Sequence, residues 1–482
     1  MTKKMSLFEE CMQGEWPKKF ITGSTVGRYV TSPFLVWCDF FAPKDAKDPP
    51  SAYLHVLFER GIAHEKKVLD EQFGDALKID APSFEEGFRK VLELCGQGAK
   101  VLTQAPFFFV PEQIEGIFDV LERREGKRSI FGDHYYIVKE IKSAKNMKRE
   151  YILQAAFYNY LLGKVQGVTP EVFFLIDREG KEHSYEYSQF EAELKNILDD
   201  IHAIARGKDV SPTAKACKWP WESYCIKRAV DADDVSILPS VGASAKEKLN
   251  AQGIFTVRDV LEKDFDGELT STTKEKIRTY ARAFVEKKPQ IIEVPKLQQS
   301  DVELFLDFEG TDELESEEGM VKVDYLIGVL KRENGSVSFH PFVSENLQGE
   351  KQMLDEFLEF MKQYPKAPIY HYGPYEKTHM RALGEKYGIN LWPIIKRMAD
   401  ILYVVRKCVA FPTMGNSLKD IGKFLGYEWR GMADAQESIV LYLDFLRTKD
   451  KKILQKIIDY NEDDVRATMV VKDYLAQISD KP

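Results

Sequence analysis

The sequence contains little cysteine and lacks long apolar runs. Six cysteines among 482 residues are too few for a disulfide scaffold. No apolar run reaches the length of about 18 residues that a membrane-spanning helix needs. The opening segment MTKKMSLFEECMQGEW also lacks the apolar core of a signal peptide. We therefore expect a cytoplasmic protein that makes no membrane contact.

The sequence also lacks the phosphate-binding loop G-x-x-x-x-G-K-[ST], which disfavours a helicase driven by nucleotide hydrolysis. The formal net charge is −9. This charge argues against non-specific coating of nucleic acid, although the distribution of charge matters more than its sum. A chain of 482 residues is too long for one ordinary core, so roughly two or three domains are expected.

Composition divides the chain into three segments. Residues 1–232 mix helical patterns with short strands, and residues 233–288 are helical and punctuated by turns. The stretch EKKPQIIEVPKLQQSD contains two prolines and few large apolar residues, which indicates a linker. A new α/β pattern fills residues 298–482. We therefore predict an α/β architecture with two larger domains and a small helical hairpin module between them.

Two carboxylates and a lysine fall on neighbouring predicted strands of the first segment. Asp119 lies on one strand, and Glu140 and Lys142 share a face of the next, because side chains alternate with period two. Two carboxylates on adjacent strands can hold a divalent cation, and a nearby lysine can orient water or stabilise charge on a phosphate. An E-x-K triplet alone carries little weight, since any exposed strand can show it.

The residues around this triplet strengthen the interpretation. His64 lies in a G-x-x-H-E segment on an upstream helix, and Gln154 and Tyr158 share a face of the helix after the strand. The order of His, G-x-x-D, E-x-K and Q-x-x-x-Y resembles the RecB-like branch of the PD-(D/E)xK nucleases. The resemblance implies a restriction-endonuclease-like fold in which Gln154 and Tyr158 contact DNA or support the site. It further implies Mg²⁺ or Mn²⁺ ligands at His64, Asp119 and Glu140, with Lys142 as a catalytic residue.

Three cysteines flank the predicted nuclease core. Some RecB-like relatives carry an iron–sulfur cluster held by one cysteine before the core and three after it, and Cys38, Cys217 and Cys225 stand in such places. The usual C-x2-C-x5-C run is absent, with Pro220 where a middle cysteine would stand. A [4Fe–4S] cluster normally takes four thiolates. An iron–sulfur cluster and a set of ordinary cysteines therefore both stay open.

The middle segment is predicted to form a helix, a tight turn and a second helix. Its sequence Leu238-Pro239-Ser240-Val241-Gly242 resembles the hairpin of helix–hairpin–helix modules. The resemblance implies that backbone N–H groups at Gly242 and the next helix start donate to a DNA phosphate, with Lys246 adding positive charge. Such contacts position DNA without reading its sequence. The alternative is a helical pair that only packs domains together.

The last segment contains a second set of carboxylates. Asp307 and Glu309 end an apolar strand on one face, and Tyr460 and Asp464 share a face of the last predicted helix. A two-metal nuclease needs such a set, with Asp307 bridging both ions and Glu309 holding one. The pattern resembles the DEDDy exonucleases of the RNase H-like superfamily. In that family the last motif is Y-x-x-x-D, and its tyrosine orients the attacking water.

The intermediate motif of that family usually ends in Asp after an aromatic residue. Here the segment HYGPYE supplies Glu376, a substitution that resembles the YprB-like RNase H-related domain fused behind RecB-like nucleases. Two alternatives stay open for Glu376: its longer side chain still reaches a metal, or the substitution weakens the site. Asp400 is the fallback ligand, although its position favours the start of a structural helix. A solvated charge run is expected at Asp459, Glu462 and Asp463.

These patterns together predict a nuclease that uses Mg²⁺ or Mn²⁺ at two sites, the C-terminal one a 3′–5′ exonuclease. DNA is the expected substrate, either single-stranded or with free ends, and RNA is the alternative. Two rival hypotheses stay open. One is a nucleic-acid-binding scaffold with one or both sites inactive, and the other is one active domain with one regulatory domain. The sequence does not indicate the polarity of the N-terminal site or any protein partner.

Overall fold

The computed structural model describes residues 5–265, 269–311, 314–316, 319–431 and 435–479. The chain forms two compact units, Met1–Arg228 and Ala229–Pro482, and the division falls inside the helix Glu222–Asp231. The finer division at 1–232, 233–288 and 298–482 stays a prediction. Within the described part of the chain, no helix is long and apolar enough to cross a membrane.

The first unit contains one mixed sheet of six strands in chain order, from β1 to β6. Pairs β1–β2 and β4–β5 are parallel, and the other neighbours are antiparallel. The strands are β1 Leu77–Lys78, β2 Val101–Phe109, β3 Ile114–Ser129, β4 Gly132–Ile141, β5 Val172–Ile176 and β6 Glu182–Glu186. The helices are α1 Leu7–Cys11, α2 Gly23–Thr31, α3 Pro33–Phe41, α4 Ala52–Gln72, α5 Phe84–Gly96, α6 Arg149–Gln166, α7 Glu191–Ala205 and α8 Glu222–Asp231.

Strands β3 and β4 form the antiparallel ribbon that the sequence predicts. The second half of β4 is buried on both faces, because β3 and β5 flank it and helices cover the sheet. Helix α6 packs on this sheet with apolar residues around most of its circumference, as a central helix must. A hairpin turn around residues 178–180 joins β5 to β6.

The second unit opens with short helices and continues into a five-stranded sheet. Its sheet order is β12-β11-β8-β13-β14, antiparallel from β12 to β8 and parallel from β8 to β14. The strands are β7 Gln290–Ile291, β8 Val302–Gly310, β9 Leu314–Ser316, β10 Gly319–Val321, β11 Asp324–Glu333, β12 Ser336–Val343, β13 Ile369–His371, β14 Met398–Asp400 and β15 Val409–Ala410. The helices are α9 Ala243–Asn250, α10 Val257–Glu262, α11 Ser271–Glu286, α12 Glu350–Lys362, α13 Tyr375–Tyr387, α14 Trp392–Ile395, α15 Ile401–Cys408, α16 Leu418–Phe424, α17 Ala435–Thr448 and α18 Lys451–Ser479.

Helices cover both faces of this sheet, and the alternation along β8 assigns its side chains to them. Leu304, Leu306 and Phe308 join the core beneath α12 and α13. Phe305 joins the opposite core with residues of α15 and α18. Since alternate side chains share a face, the odd-numbered residues that follow Phe305 point to the α18 side. The sheet therefore presents the two carboxylates at the end of β8 to that helix.

A tight turn at residues 333–335 joins β11 to β12. The linker prediction needs correction, because Gln290 and Ile291 within that stretch pair with Val409 and Ala410 as a short antiparallel ladder. Two prolines did not exclude a strand, because both lie outside the paired residues.

Candidate active site

Three carboxylates converge at the end of β8. Each of Asp307, Glu309 and Asp464 offers an oxygen, and these atoms all lie within 4.8 Å of one another. Among the residues that the structure describes, this is the one group of three or more acidic, histidine or cysteine side chains whose ligand atoms are all mutually close enough to hold a metal ion. The carboxylates meet because Asp307 and Glu309 lie on the face of β8 that packs against α18, the helix that carries Asp464.

Hydrogen bonds fix the orientation of two of these carboxylates. The Asn461 side-chain amide donates to Asp307 Oδ2 at 2.6 Å, and the Trp429 indole N–H donates to Asp464 Oδ1 at 2.7 Å. Gly328 on β11 is the register partner of Asp307. A Cβ atom at Gly328 would collide with the Asn461 side chain. The glycine thus permits α18 to approach the sheet closely enough for Asn461 to reach Asp307.

The electrostatics of this group favour a bound cation. Burial, followed by the nearby carboxylates of Asp464, Glu309 and Glu376, raises the pKa of Asp307 well above its ordinary value. Burial and Asp464 raise the pKa of Glu309 to about 8. Burial raises the pKa of Asp464 to about 6, although the Trp429 hydrogen bond and the charge of Lys419 lower it. A divalent cation would relieve this repulsion, and an all-oxygen donor set suits Mg²⁺ or Mn²⁺.

Tyr460 lies beside the carboxylates, as the i,i+4 spacing predicts. Its pKa is raised by burial and then by the charges of Asp464, Glu309 and Asp307. The phenol therefore stays protonated at neutral pH. A protonated hydroxyl can both donate and accept a hydrogen bond, which a water-orienting group requires.

Glu376, in the first turn of α13, reaches the edge of the group. Its carboxylate contributes to the raised pKa of Asp307 by charge and by a side-chain hydrogen bond. On the other side, Glu376 Oε2 lies 3.2 Å from His371 Nδ1, and both side chains are buried. Glu376 is not part of the set of three whose oxygens are all mutually close. Its position is therefore that of a fourth carboxylate next to Asp307.

Asp400 confirms the structural alternative of the sequence analysis. It caps the start of α15, where its Oδ1 accepts from the backbone N–H of Tyr403 at 3.2 Å. The same oxygen accepts from the backbone N–H of Gly373 at 3.0 Å. Asp463 differs from its expectation, because it is buried and accepts hydrogen bonds from Tyr427 and Arg430.

Comparison with known proteins bears on this part of the chain. Residues 304–476 match the RNase_H_2 family model of the RNase_H superfamily. The C-terminal part of the chain is RNase H-like. This RNase H-like part includes the strand with Asp307 and the helix with Asp464. Such a match suggests a metal-dependent nuclease, and the group of Asp307, Glu309 and Asp464 fits that activity. It implies a nucleic-acid substrate but does not distinguish DNA from RNA. A search of curated proteins found no match.

In the first unit, the structure brings Asp119, Glu140 and Lys142 together. Glu140 Oε1 accepts from the Asp119 backbone N–H at 3.3 Å, and Glu140 Oε2 lies 3.4 Å from Lys142 Nζ. Burial raises the pKa of Asp119, and burial together with Asp119 raises that of Glu140 well above its ordinary value. Burial lowers the pKa of Lys142, but the two carboxylates outweigh it and raise this pKa. Glu140 is thus buried, Asp119 and Lys142 are half-buried, and each of the three groups shifts the pKa values of the others.

The two predicted DNA-contacting residues adjoin this group. Gln154 Nε2 lies 3.5 Å from the Tyr158 hydroxyl on α6. Burial, followed by the charge of Glu140, raises the pKa of Tyr158, so the phenol stays protonated near the carboxylates. Gly116 of the G-x-x-D motif packs under the ring, and a Cβ there would lie 2.6 Å from a Tyr158 ring carbon. The close contact with Tyr158 explains why this position of the motif is a glycine, since any side chain would collide with the ring.

His64 and its neighbour Glu65 face different surroundings. Burial lowers the pKa of His64, and a hydrogen bond with the Asp177 backbone raises it. Burial and the charge of Asp119 raise the pKa of Glu65, whose Oε1 accepts from Gln104 Nε2 at 2.7 Å. The structure therefore brings Glu65 toward Asp119, whereas the contacts of His64 run toward the turn after β5. Glu65 stands in the same G-x-x-H-E segment, but only His64 was predicted as a ligand.

The three cysteines of the predicted cluster lie close together, and all are free thiols. The Sγ atoms of Cys38 and Cys225 are 3.9 Å apart, and the Cys217 thiol donates to the Thr213 carbonyl at 3.2 Å. The hydrogen bond with Cys217 lowers the pKa of Cys225, but Cys38 and burial raise it to about 12. Three thiols are one fewer than the four thiolates that a [4Fe–4S] cluster normally takes, so these cysteines alone do not complete its donor set.

In the helical module, the predicted turn is present just before Gly242, but Lys246 is not exposed as expected. Gly242 is the N-cap of α9 and has no side-chain cap. Lys246 is buried, and its Nζ lies 2.7 Å from Asp234 Oδ2. The expectation that Lys246 offers charge to DNA therefore needs correction, because its ammonium is engaged inside the module.

Proposed function

We propose that the second unit is a 3′–5′ exonuclease on DNA, with Mg²⁺ or Mn²⁺ held by Asp307, Glu309 and Asp464. The observation that carries this proposal is the convergence of three carboxylates, one buried and two half-buried, whose pKa values are raised and whose oxygens lie within 4.8 Å of one another. A divalent cation bound there supplies Lewis acidity and a water of lowered pKa. The match to the RNase_H superfamily supports the same chemistry.

Side chains of this unit position the attacking water and the metal-binding carboxylates. The Tyr460 hydroxyl, held beside Asp464, positions the attacking water. Asn461 and Trp429 hold Asp307 and Asp464 in place. The water oxygen bonds to phosphorus, and the bond from phosphorus to the 3′ oxygen of the preceding nucleotide breaks. One water proton passes to solvent and the leaving oxygen takes up a proton, which gives a 5′-mononucleotide and a shorter strand with a 3′-hydroxyl.

End-labelled single-stranded DNA in Mn²⁺ tests this proposal. DNA labelled at its 5′ end is expected to give a ladder of shortening strands, whereas a 3′ label is released at once as a mononucleotide. Asp307→Asn should abolish this 3′–5′ pattern and leave only cleavage by any other site, while Asp355→Asn, at an exposed carboxylate on α12, should leave the pattern unchanged. A parallel reaction with RNA decides the substrate class. If wild type cleaves neither polymer in Mg²⁺ or Mn²⁺, the nucleic-acid-binding scaffold replaces the nuclease.

A second nuclease site is proposed in the first unit, where Asp119 and Glu140 bind the cation and Lys142 stabilises the phosphate. The mutual contacts of these residues support it, and Glu65 adds a further carboxylate beside Asp119. The residual activity of Asp307→Asn isolates this site. Adding Glu140→Gln should remove that residual activity. If Asp307→Asn alone has no residual activity on single strands or duplex ends, the first unit is not a second nuclease under these conditions.

A further inference from the structure

A lysine lies near the C-terminal carboxylates. Lys419 lies on α16, and its Nζ is 4.9 Å from the ring centroid of Tyr460. Its positive charge also lowers the pKa values of Glu309 and Asp464. Lys419 therefore acts electrostatically on two of the three proposed metal ligands and lies against the ring of the proposed water-orienting residue.

The segment before Lys419 is fixed to the rest of the unit. Ser417 caps α16, with its hydroxyl accepting from the Asp420 backbone N–H at 3.1 Å. The Tyr372 hydroxyl donates to the Asn416 carbonyl at 2.8 Å. The Asn416 amide donates to the Tyr280 hydroxyl at 3.2 Å. The backbone of this lysine is thus held in place, which favours a defined role over that of a freely moving surface charge.

We propose that Lys419 is a catalytic residue that contacts the phosphate being cleaved. The proposal rests on the nuclease function proposed above. A phosphodiester that approaches Asp307, Glu309 and Asp464 meets their negative charge, which bound cations offset in part. An ammonium next to Tyr460 lies beside the proposed water position and offsets the rest. Lysine suits this task because its ammonium is a compact charge that binds phosphate.

The role is defined by where charge grows during hydrolysis. As the water oxygen bonds to phosphorus and the bond to the 3′ oxygen breaks, negative charge grows on the phosphoryl and leaving oxygens. The positive charge of Lys419 stabilises that growing negative charge more strongly in the transition state than in the bound substrate. Its removal should therefore reduce the cleavage rate at saturating DNA, not only the affinity for DNA.

The alternative is a structural role, in which Lys419 packs on Tyr460 and partly neutralises the ligands. Lys419→Met separates the two, because methionine keeps an apolar side chain against the ring and removes only the charge. Lys423→Met is the matched control, since Lys423 lies one turn further along α16 and is exposed. Lys419→Arg restores a positive charge at the same place.

Single-turnover cleavage of 5′-labelled DNA and Mn²⁺ binding by calorimetry are measured on the wild-type C-terminal site and the three variants, all in a Glu140→Gln background that removes the proposed first-unit activity. We expect Lys419→Met to slow cleavage at saturating DNA on the order of 100-fold, as loss of a charge-stabilising donor does. Lys419→Arg should recover part of the rate, and Lys423→Met should equal wild type. Mn²⁺ should bind Lys419→Met at least as tightly as wild type, because a nearby positive charge is gone.

Two outcomes would overturn the inference. One is a Lys419→Met rate equal to that of Lys423→Met, and the other is a Lys419→Met variant that no longer binds Mn²⁺. Failure of the proposed function itself looks different, because wild type would then cleave no DNA although it binds Mn²⁺. That result removes the nuclease reaction and, with it, the role of Lys419.

Discussion

The side-chain amide of Asn461 donates a 2.6 Å hydrogen bond to Asp307, which couples the last helix to the central strand of the C-terminal sheet. The contact requires close approach, since Gly328 leaves no room for a Cβ beside Asn461. Because Tyr460 directly precedes Asn461 on α18, the contact also helps to hold the helix turn that carries Tyr460 against the sheet. Stability and activity in this unit are therefore linked through one pair of residues.

Gly328→Ala should disturb both properties. The added Cβ displaces Asn461 from Asp307, and we expect a loss of about 1–3 kcal/mol in the free energy of unfolding, typical of overpacking. Cleavage should fall as well, because Asp307 loses its orienting donor. Urea unfolding and the cleavage assay measure the two effects. Gly431→Ala is the control, since nothing lies within 4 Å of a Cβ there. An unchanged Gly328→Ala variant would contradict the proposed coupling.

The raised carboxylate pKa values predict a stability profile. Glu309 has an ordinary pKa of 4.5, which the fold raises to about 8. Between these values the unfolded chain binds fewer protons than the folded chain, so stability falls as pH rises through this window. Added Mn²⁺ should reduce that fall, because it pairs with the ionised carboxylates. Thermal unfolding measured from pH 4.5 to pH 8, with and without Mn²⁺, checks this.

Glu309→Gln is the companion variant for this profile. An amide does not ionise, so the metal-free variant should lose less stability than wild type between pH 4.5 and pH 8. Asp355→Asn, at an exposed position, should follow wild type. The same slope in Glu309→Gln and wild type would show that Glu309 is not the group responsible.

The local periodicities of the sequence predicted which carboxylates form the site, but not the residues that hydrogen-bond to them. Period two placed Asp307 and Glu309 on one face of a strand, and i,i+4 spacing placed Asp464 on the facing side of a helix. Trp429 could not be predicted, because its bond to Asp464 joins residues 35 positions apart. The burial of Asp463 was missed for the same reason, since Tyr427 and Arg430 reach it from a separate loop.

A different limit applies to the first unit. The G-x-x-H-E segment was correctly predicted on a helix, α4. Which of its side chains faces Asp119 depends on the rotation of that helix, and one residue corresponds to about 100°. Sequence periodicity does not fix this angle when the helix has few buried residues, and α4 buries only Tyr53 and Val68. His64 and Glu65 were thus indistinguishable until the packing was known.

Glu376→Asp should lower activity, although Asp is the usual residue in the family that the motif resembles. The glutamate reaches Asp307 on one side and His371 on the other, at 3.2 Å. A side chain shorter by one methylene cannot maintain both contacts. We expect cleavage to slow by roughly tenfold or more, on the scale of outer-shell changes at metal sites. The exposed Glu385→Asp on the same helix is the control. A faster Glu376→Asp enzyme would show that the glutamate weakens the site.

The contacts of Glu65 predict which residue of the G-x-x-H-E segment serves the N-terminal site. Glu65 interacts with Asp119 and is held by Gln104, whereas His64 interacts with Asp177. In the Asp307→Asn background, Glu65→Gln should therefore reduce the residual cleavage more than His64→Gln does. Thermal unfolding of both variants excludes loss of the fold as the cause. A larger loss of cleavage in His64→Gln would contradict this prediction. It would mean that α4 rotates when metal or DNA binds, and that His64 is the ligand, as the RecB-like resemblance implies.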